Sequence, residues 1–188
     1  MAKPRPAHIA AALCLVLSGC KPAIADFVSS QRADALVARG RAIDGDTVSV
    51  DFRLFGADAY EKRQLCERQS GCWPCGKAAQ DYAARFLKRG NATIQLTGSQ
   101  SYGRPVAVIT VDGQDMGEAM IEAGLAVPAL RYLKADPDRA ERYSAAFNRA
   151  AAAHVGAQDG NALAPDKWRR GERLSCESRR GPATDPGA

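Results

Sequence analysis

Ile43-Asp44-Gly45-Asp46-Thr47, followed shortly by Phe52-Arg53-Leu54-Phe55-Gly56-Ala57-Asp58-Ala59-Tyr60-Glu61, is the stretch on which the reading of this chain turns. A third signal, Tyr102-Gly103-Arg104, comes much later. Together they set carboxylates and two arginines on what read as strands and their connecting turns. Hard oxygen donors suit a calcium ion, and planar guanidinium forks suit a phosphate. A site holding both points to phosphodiester chemistry.

Working outward, residues 35–43 read as a strand entering the Asp44-Gly45 turn, 47–50 as an alternating second strand, and 52–55 as a third. Asp51-Phe52, between Val50 and Arg53, lacks the glycine or asparagine that a two-residue turn prefers. That leaves the distance from Asp46 to Asp58 insecure. A polar, cysteine-bearing loop follows over 61–75. Residues 76–89 read as a helix, with Ala79, Tyr82, Ala83, Phe86 and Leu87 on one face and Gly90 as its stop. Two more strands, 92–96 and 106–111, are joined by a loop over 98–105. A short helix is expected over 117–123, and a longer one from the Asp136-Pro137 cap to about Ala153. Five strands with three helices, one of them inserted between the third and fourth strands, suit an α+β domain built on a five-stranded OB-type barrel.

The chain has 188 residues, enough for one such domain plus tails, and we place the domain at 35–170 with a partly ordered tail at 171–188. Lys3 and Arg5 precede an apolar run from Ile9 to Leu17 that is too short to span a bilayer, so residues 1–25 read as an export signal. Leu17-Ser18-Gly19-Cys20 has the form of a lipobox, which would tether the protein to a membrane through Cys20. Ala23-Ile24-Ala25 has the form of an ordinary cleavage site, and both remain open. Cys66, Cys72, Cys75 and Cys176 survive either cleavage, and in an exported protein four cysteines are most simply two disulfides. Cys66 with Cys75 is the preferred pair. Zinc, or a redox role for Cys72-Trp73-Pro74-Cys75, is the alternative, although no βαβ setting precedes that motif. Loss of Lys3 and Arg5 lowers the formal charge from +5 to +3, which permits a nucleic-acid partner without arguing for one. Arg131, Lys134, Arg139, Arg142, Lys167, Arg169, Arg170 and Arg173 gather late, most simply as a solvated helix face and a charged tail.

Over roughly residues 35–170 the chain resembles the staphylococcal nuclease (thermonuclease) family. The resemblance rests on the three motifs in order, on Gly117-Glu118-Ala119-Met120-Ile121-Glu122-Ala123-Gly124-Leu125-Ala126, and on Pro165 with Trp168-Arg169-Arg170. It implies an OB-fold, calcium-dependent nuclease acting on DNA and RNA, which breaks the bond to the 5′ oxygen. It assigns Asp46, Asp58 and the Ala59 carbonyl to calcium, with Asp44 acting through water in an outer shell. It makes Arg53, Glu61 and Arg104 catalytic, and places Tyr102 and Tyr132 along the nucleotide pocket. The chemistry is coherent: arginines stabilise charge growing on the equatorial oxygens, and a carboxylate takes the proton of the attacking water.

Each residue has a plainer reading. Arg53 can be an outward strand residue, Glu61 part of a solvated turn, Arg104 a loop cation, Asp46 a turn cap and Tyr132 ordinary packing. Their order is what a set of coincidences does not explain. The chain also departs from the family pattern. Tyr60 replaces a proline that would pre-set the loop before Glu61, and Ser101 replaces a lysine. Two rivals therefore stand beside the nuclease: a catalytically weak OB-fold module that binds nucleic acid, and a disulfide-stapled envelope lipoprotein. A monomer is expected.

Overall fold

The computed structural model describes residues 36–178. The export signal, Cys20 and the last ten residues lie outside that range. In chain order the strands are β1 (Gly40–Ala42), β2 (Val48–Val50), β3 (Arg53–Leu54), β4 (Ala57–Ala59), β5 (Cys66–Arg68), β6 (Gly71–Trp73), β7 (Ala92–Ser101), β8 (Arg104–Val111), β9 (Gln114–Asp115) and β10 (Ala126–Pro128). The helices are α1 (Cys75–Leu87), α2 (Met116–Glu122), α3 (Pro137–Ala152), α4 (Pro165–Arg169) and α5 (Ser175–Ser178). The fold is α+β. Among the described residues the strand pairings form four sheets, β1–β2, β4–β10, β3–β8–β7 with β9 on β8, and β5–β6.

The expected pairing of the second and third strands does not occur. β2 pairs back onto β1, Ala42 facing Val48, while β3 crosses to run parallel with β8, Arg53 facing Val106. Asp51-Phe52 is thus a crossover and not a turn, which is why it carries no turn residues. The 98–105 loop is also absent. β7 continues to Ser101 with a register shift between Leu96 and Gln100, and β8 begins at Arg104. Only Tyr102 and Gly103 remain between them, both left-handed at φ 52° and 73°. That is a two-residue turn of the kind that matches strand twist, and Gly103 accepts its backbone at no steric cost.

The helices follow their sequence signals closely. The Asp115 carboxylate accepts from the backbone N–H groups of Gly117 and Glu118 at 2.8 and 3.1 Å, capping α2. Asp136 accepts from Arg139 N–H at 3.0 Å and caps α3, whose first residue is Pro137. The main core forms where α2 packs between α3, β8 and α1, with Val111, Met120, Ile121, Leu133, Tyr143 and Phe86 buried together. Arg139 joins this core to its caps, pairing with Asp115 and Asp136 and donating to the Tyr143 hydroxyl.

A smaller core supports the site. Tyr60, Cys66, Cys75 and Ala157 are buried together, with Trp73 and Val127 packed against them. Cys66 bonds to Cys75, Cα atoms 5.6 Å apart, and Cys72 to Cys176 at 5.8 Å. The loop expected over 61–75 contains the β5–β6 hairpin, and the stretch after Gly156 contains α4 and α5. The second disulfide fastens α5 to β6 across a sequence separation of 104.

Candidate functional site

β3, β4 and the loop after β4 bring the first carboxylates and arginines to one place. Leu54 leads to Phe55, whose N–H donates to Ala107 at 2.9 Å. Gly56, at φ 73°, then turns the chain onto β10, and its carbonyl accepts from Ala129 N–H. β4 follows, pairing Asp58 with Val127 and Ala59 with Ala126. The strand therefore changes partner at Gly56. Arg53 belongs to the β8 side and Asp58 to the β10 side of one cleft.

That cleft has two ends. A pocket of about 340 Å³ of mixed character is walled by Leu54, Phe55, Val106, Ala129 and Tyr132 together with Asp58, Gln100 and Ser101. It shares Arg53, Tyr102, Arg131 and Arg169 with a charged cavity, which adds Glu61, Arg104, Asp166 and Arg170. Arg53 donates to the Ser101 hydroxyl at 3.2 Å and lies 5.9 Å from the Tyr102 ring centroid. Ser101 thus orients Arg53 where the resembling family has a lysine. Arg104 opens β8, one turn away from Ser101, its register partner. Tyr102 is 88% exposed and Tyr132 60% exposed, so both rings stand open at the cleft.

Glu61 is held from behind. The Gln64 side chain is completely buried; its Oε1 accepts from Glu61 N–H at 3.1 Å and its Nε2 donates to the Leu163 carbonyl at 2.7 Å. Gln64 N–H donates to the Glu61 carbonyl at 2.7 Å, and the Gln64 carbonyl accepts from Gly76 N–H. At Gly76 a Cβ would fall onto the Glu61 carbonyl, so the start of α1 approaches this loop as only glycine permits. Tyr60 fixes the loop as well. Its ring is 5% exposed, its hydroxyl accepts from Gln158 at 3.4 Å, and burial pushes the phenol up to about 12. Absence of the family proline is thus compensated by a buried anchor, and the loop before Glu61 is pinned.

The residue that sequence reasoning missed is Arg169. From the end of α4 it grips Asp58 through two bonds, Nη1 to Oδ1 at 3.0 Å and Nη2 to Oδ2 at 2.7 Å, and reaches Glu61 Oε1 at 2.7 Å. Its hydrogen bonds to Asp58, then those to Glu61, push the guanidinium pKa further up. Asp58 is only 16% exposed there, so this pair is better shielded than a surface salt bridge. The sequence signal was the Trp168-Arg169-Arg170 cluster, which charge alone did not separate from a solvated tail.

The other expected ligands stay apart. Asp44 and Asp46 sit in the exposed turn between β1 and β2. There the Asp44 carboxylate accepts from Thr47 N–H at 2.8 Å and Asp46 N–H at 3.3 Å, and hydrogen bonds at Thr47 and Asp46 lower its pKa. Asp46 accepts from the Thr47 hydroxyl at 3.2 Å. Neither lines the cleft. Among the described residues no three His, Cys, Asp or Glu side chains gather closely enough to hold a metal ion. Asp46 lies in the β1–β2 turn and Asp58 on β4, and a guanidinium fills the gap between Asp58 and Glu61. In this arrangement the residues do not fit a calcium ion.

Comparison with known proteins gives one firm result. No curated protein matches the chain. Residues 51–157 match the model of a family described as staphylococcal nuclease homologue. The match takes in Arg53, Asp58, Glu61, Tyr102, Arg104 and Tyr132, and leaves Asp44 and Asp46 before it and Arg169 after it. It spans more than half of the 188 residues, and the chain belongs to the staphylococcal nuclease homologue family.

Proposed function

We propose that the protein is an exported nuclease that hydrolyses phosphodiester bonds of DNA and RNA. The observation that carries this is the convergence of Arg53, Arg104 and Glu61 on one charged cavity beside a pocket edged by Tyr102 and Tyr132. A nucleotide divides its chemistry the same way. A base stacks on an open aromatic ring whatever its identity, while the phosphate seeks guanidinium groups. During hydrolysis the water oxygen bonds to phosphorus as the ester bond breaks. In this reading Arg53 and Arg104 stabilise charge growing on the non-bridging oxygens. Glu61, whose backbone Gln64 holds, accepts the proton of the water.

The family is generally calcium-dependent. Asp58 and Glu61 are the right kind of donor, but they reach a cation only if Arg169 lets go, and the steps above use side chains alone. The basic start, the apolar run at 9–17 and the two disulfides support the reading of export. On that reading the destination is the periplasm or the medium, with attachment to a membrane if Cys20 is lipidated. No helix among the described residues is long and apolar enough to cross a membrane.

One observation favours a second reading. Arg169 neutralises Asp58 and engages Glu61, which suits a module that binds nucleic acid without cutting it. Digestion of single-stranded DNA by the purified oxidised protein, with calcium and with chelator, separates the two. Cleavage that disappears in Glu61→Ala supports the nuclease. A folded protein that retards DNA on a gel and leaves it intact under both conditions is the binding module.

A further inference from the structure

Two arginine–tyrosine pairs border the cleft. Arg53 lies 5.9 Å from the Tyr102 ring centroid, and Arg131 lies 4.6 Å from that of Tyr132. All four residues line the same pocket. The charged cavity beside it is lined by five arginines against two carboxylates. Arg169 is engaged by Asp58 and Glu61, and Arg170 by Asp166. Arg53, Arg104 and Arg131 make no ion pair among the described residues. The first two are the phosphate contacts of the nuclease reading, which leaves Arg131 without a part. Its contact with Tyr132 pushes its pKa further up, so it is a cation at any working pH.

The fold holds Arg131 in place. Ala129 N–H donates to the Gly56 carbonyl at 2.8 Å, and Leu133, 1% exposed, packs so closely on Gly56 that a Cβ there would collide with it. Between these anchors the chain makes one 3-10 turn, Leu130–Tyr132. Tyr132 N–H donates to the Ala129 carbonyl and Leu133 N–H to that of Leu130, both at 3.0 Å. A turn tied at both ends leaves its middle in the open: Arg131 and Tyr132 are exposed, and neither belongs to a core cluster. A ring and a cation held side by side in this way suit a nucleotide, whose base stacks on the ring while its phosphate takes the guanidinium.

We propose that Arg131 and Tyr132 form a second nucleotide subsite beside Arg53 and Tyr102, in which Arg131 holds the phosphate next along the strand from the one attacked. This deepens the nucleic-acid reading of the cleft and rests on it. A strand repeats phosphate and base, and the pocket repeats guanidinium and ring. A ligand with one phosphate fills the Arg53 subsite alone, whereas a longer strand fills both.

Fluorescence anisotropy with two labelled probes, a single-stranded DNA octamer and a dinucleotide with one phosphodiester, tests this. The full oxidised chain carries Glu61→Gln so that neither probe is cut. Arg131→Gln is expected to weaken octamer binding about threefold to tenfold and to make log K against log salt shallower by about 0.7, the share of one phosphate on a single strand. Its affinity for the dinucleotide is expected to stay unchanged. Tyr132→Leu is expected to weaken the octamer with the salt slope intact, because stacking is lost and no charge is. Arg131→Lys, which keeps the charge, is expected to restore the slope, and Arg53→Gln to weaken both probes. Unaltered octamer affinity and slope in Arg131→Gln, with Arg53→Gln still weakening both probes, overturns the second subsite and leaves the nucleic-acid reading standing. An equal loss on both probes in Arg131→Gln overturns it as well, since Arg131 then shares the phosphate of Arg53. Absence of octamer binding by the parent protein overturns both readings.

Discussion

Gln64→Leu isolates the support of Glu61 from the chemistry of Glu61. The glutamine is fully buried, and its amide bridges two backbone groups: it accepts from Glu61 N–H at 3.1 Å and donates to the Leu163 carbonyl at 2.7 Å. Leucine fills nearly the same volume, so packing changes little, yet both backbone groups lose their partner inside the protein. Each stranded buried group costs about 1–3 kcal/mol, giving about 2–6 kcal/mol before relaxation. The segment around Leu163 lies near the surface, and water reaching its carbonyl would lower the total, so we expect a loss of about 3 kcal/mol. Against a total stability of about 5–15 kcal/mol for a domain, that is a large fraction. Urea unfolding of the oxidised protein should show a lower midpoint with an unchanged slope. Nuclease activity of the folded variant should fall too, because Glu61 loses the bond that orients its backbone. A stability change under about 1 kcal/mol would refute the argument that this amide, and not the neighbouring disulfide, holds the loop.

Three further outcomes follow from named contacts. Ser101→Ala removes the 3.2 Å hydrogen bond to Arg53 and little else; we expect an unchanged melting temperature and a fall of about threefold to tenfold in kcat/KM, and an unaltered rate would mean that Tyr102 alone orients Arg53. Replacing Cys72 and Cys176 with alanine should cost about 4–5 kcal/mol, against about 3 kcal/mol for the Cys66–Cys75 pair, because it frees a loop of 104 residues and not 9. Denaturant midpoints that reverse this order would count against the loop-entropy argument. Burial raises the Tyr60 phenol from 10.0 to about 12, so the unfolded chain loses this proton first. Its contribution to stability is complete below pH 10 and drains away between pH 10 and 12, by up to about 3 kcal/mol. Tyr60→Phe should flatten that part of the stability profile, read by urea midpoints across the range.

How much of this was legible beforehand depended on how local each signal was. The Asp115 and Asp136 caps act within three residues, and α2 and α3 begin where their sequence places them. The Tyr102-Gly103 turn was legible as a motif but not as a turn. Residues 92–96 read as a strand, but the exposed continuation of β7 to Ser101 looks like a loop to any pattern reading, and only its register with β8 makes it a strand. The partner of β3 was illegible for the same reason, since strand pairing is decided by the whole fold and not by the residues at the crossover. Glu61 and Arg104 were identified by order and type, while Gln64 was not, because a lone glutamine between Arg63 and Leu65 carries no periodicity and becomes meaningful only through Leu163, far away in sequence.

Arg169 shows the other limit. Its sequence neighbourhood announces positive charge and nothing more, and most arginines in such a tail are solvated, as Arg170 largely is. What distinguishes it is the Cys72–Cys176 bond, which returns the tail to the body, and the position of Asp58 on the strand facing it. The two aspartates of the first motif form the opposite case. Asp44 and Asp46 were conspicuous in sequence, yet each is satisfied within its own turn, and the β1–β2 hairpin that carries them pairs with no other strand among the described residues. A carboxylate bonded to its own turn needs no metal to be stable. Asp58 and Glu61, by contrast, find their partner far away in sequence, in Arg169; on the proposed reading the charge balance of these three residues, more than the Asp-Gly-Asp motif, decides whether the cleft cuts or only binds.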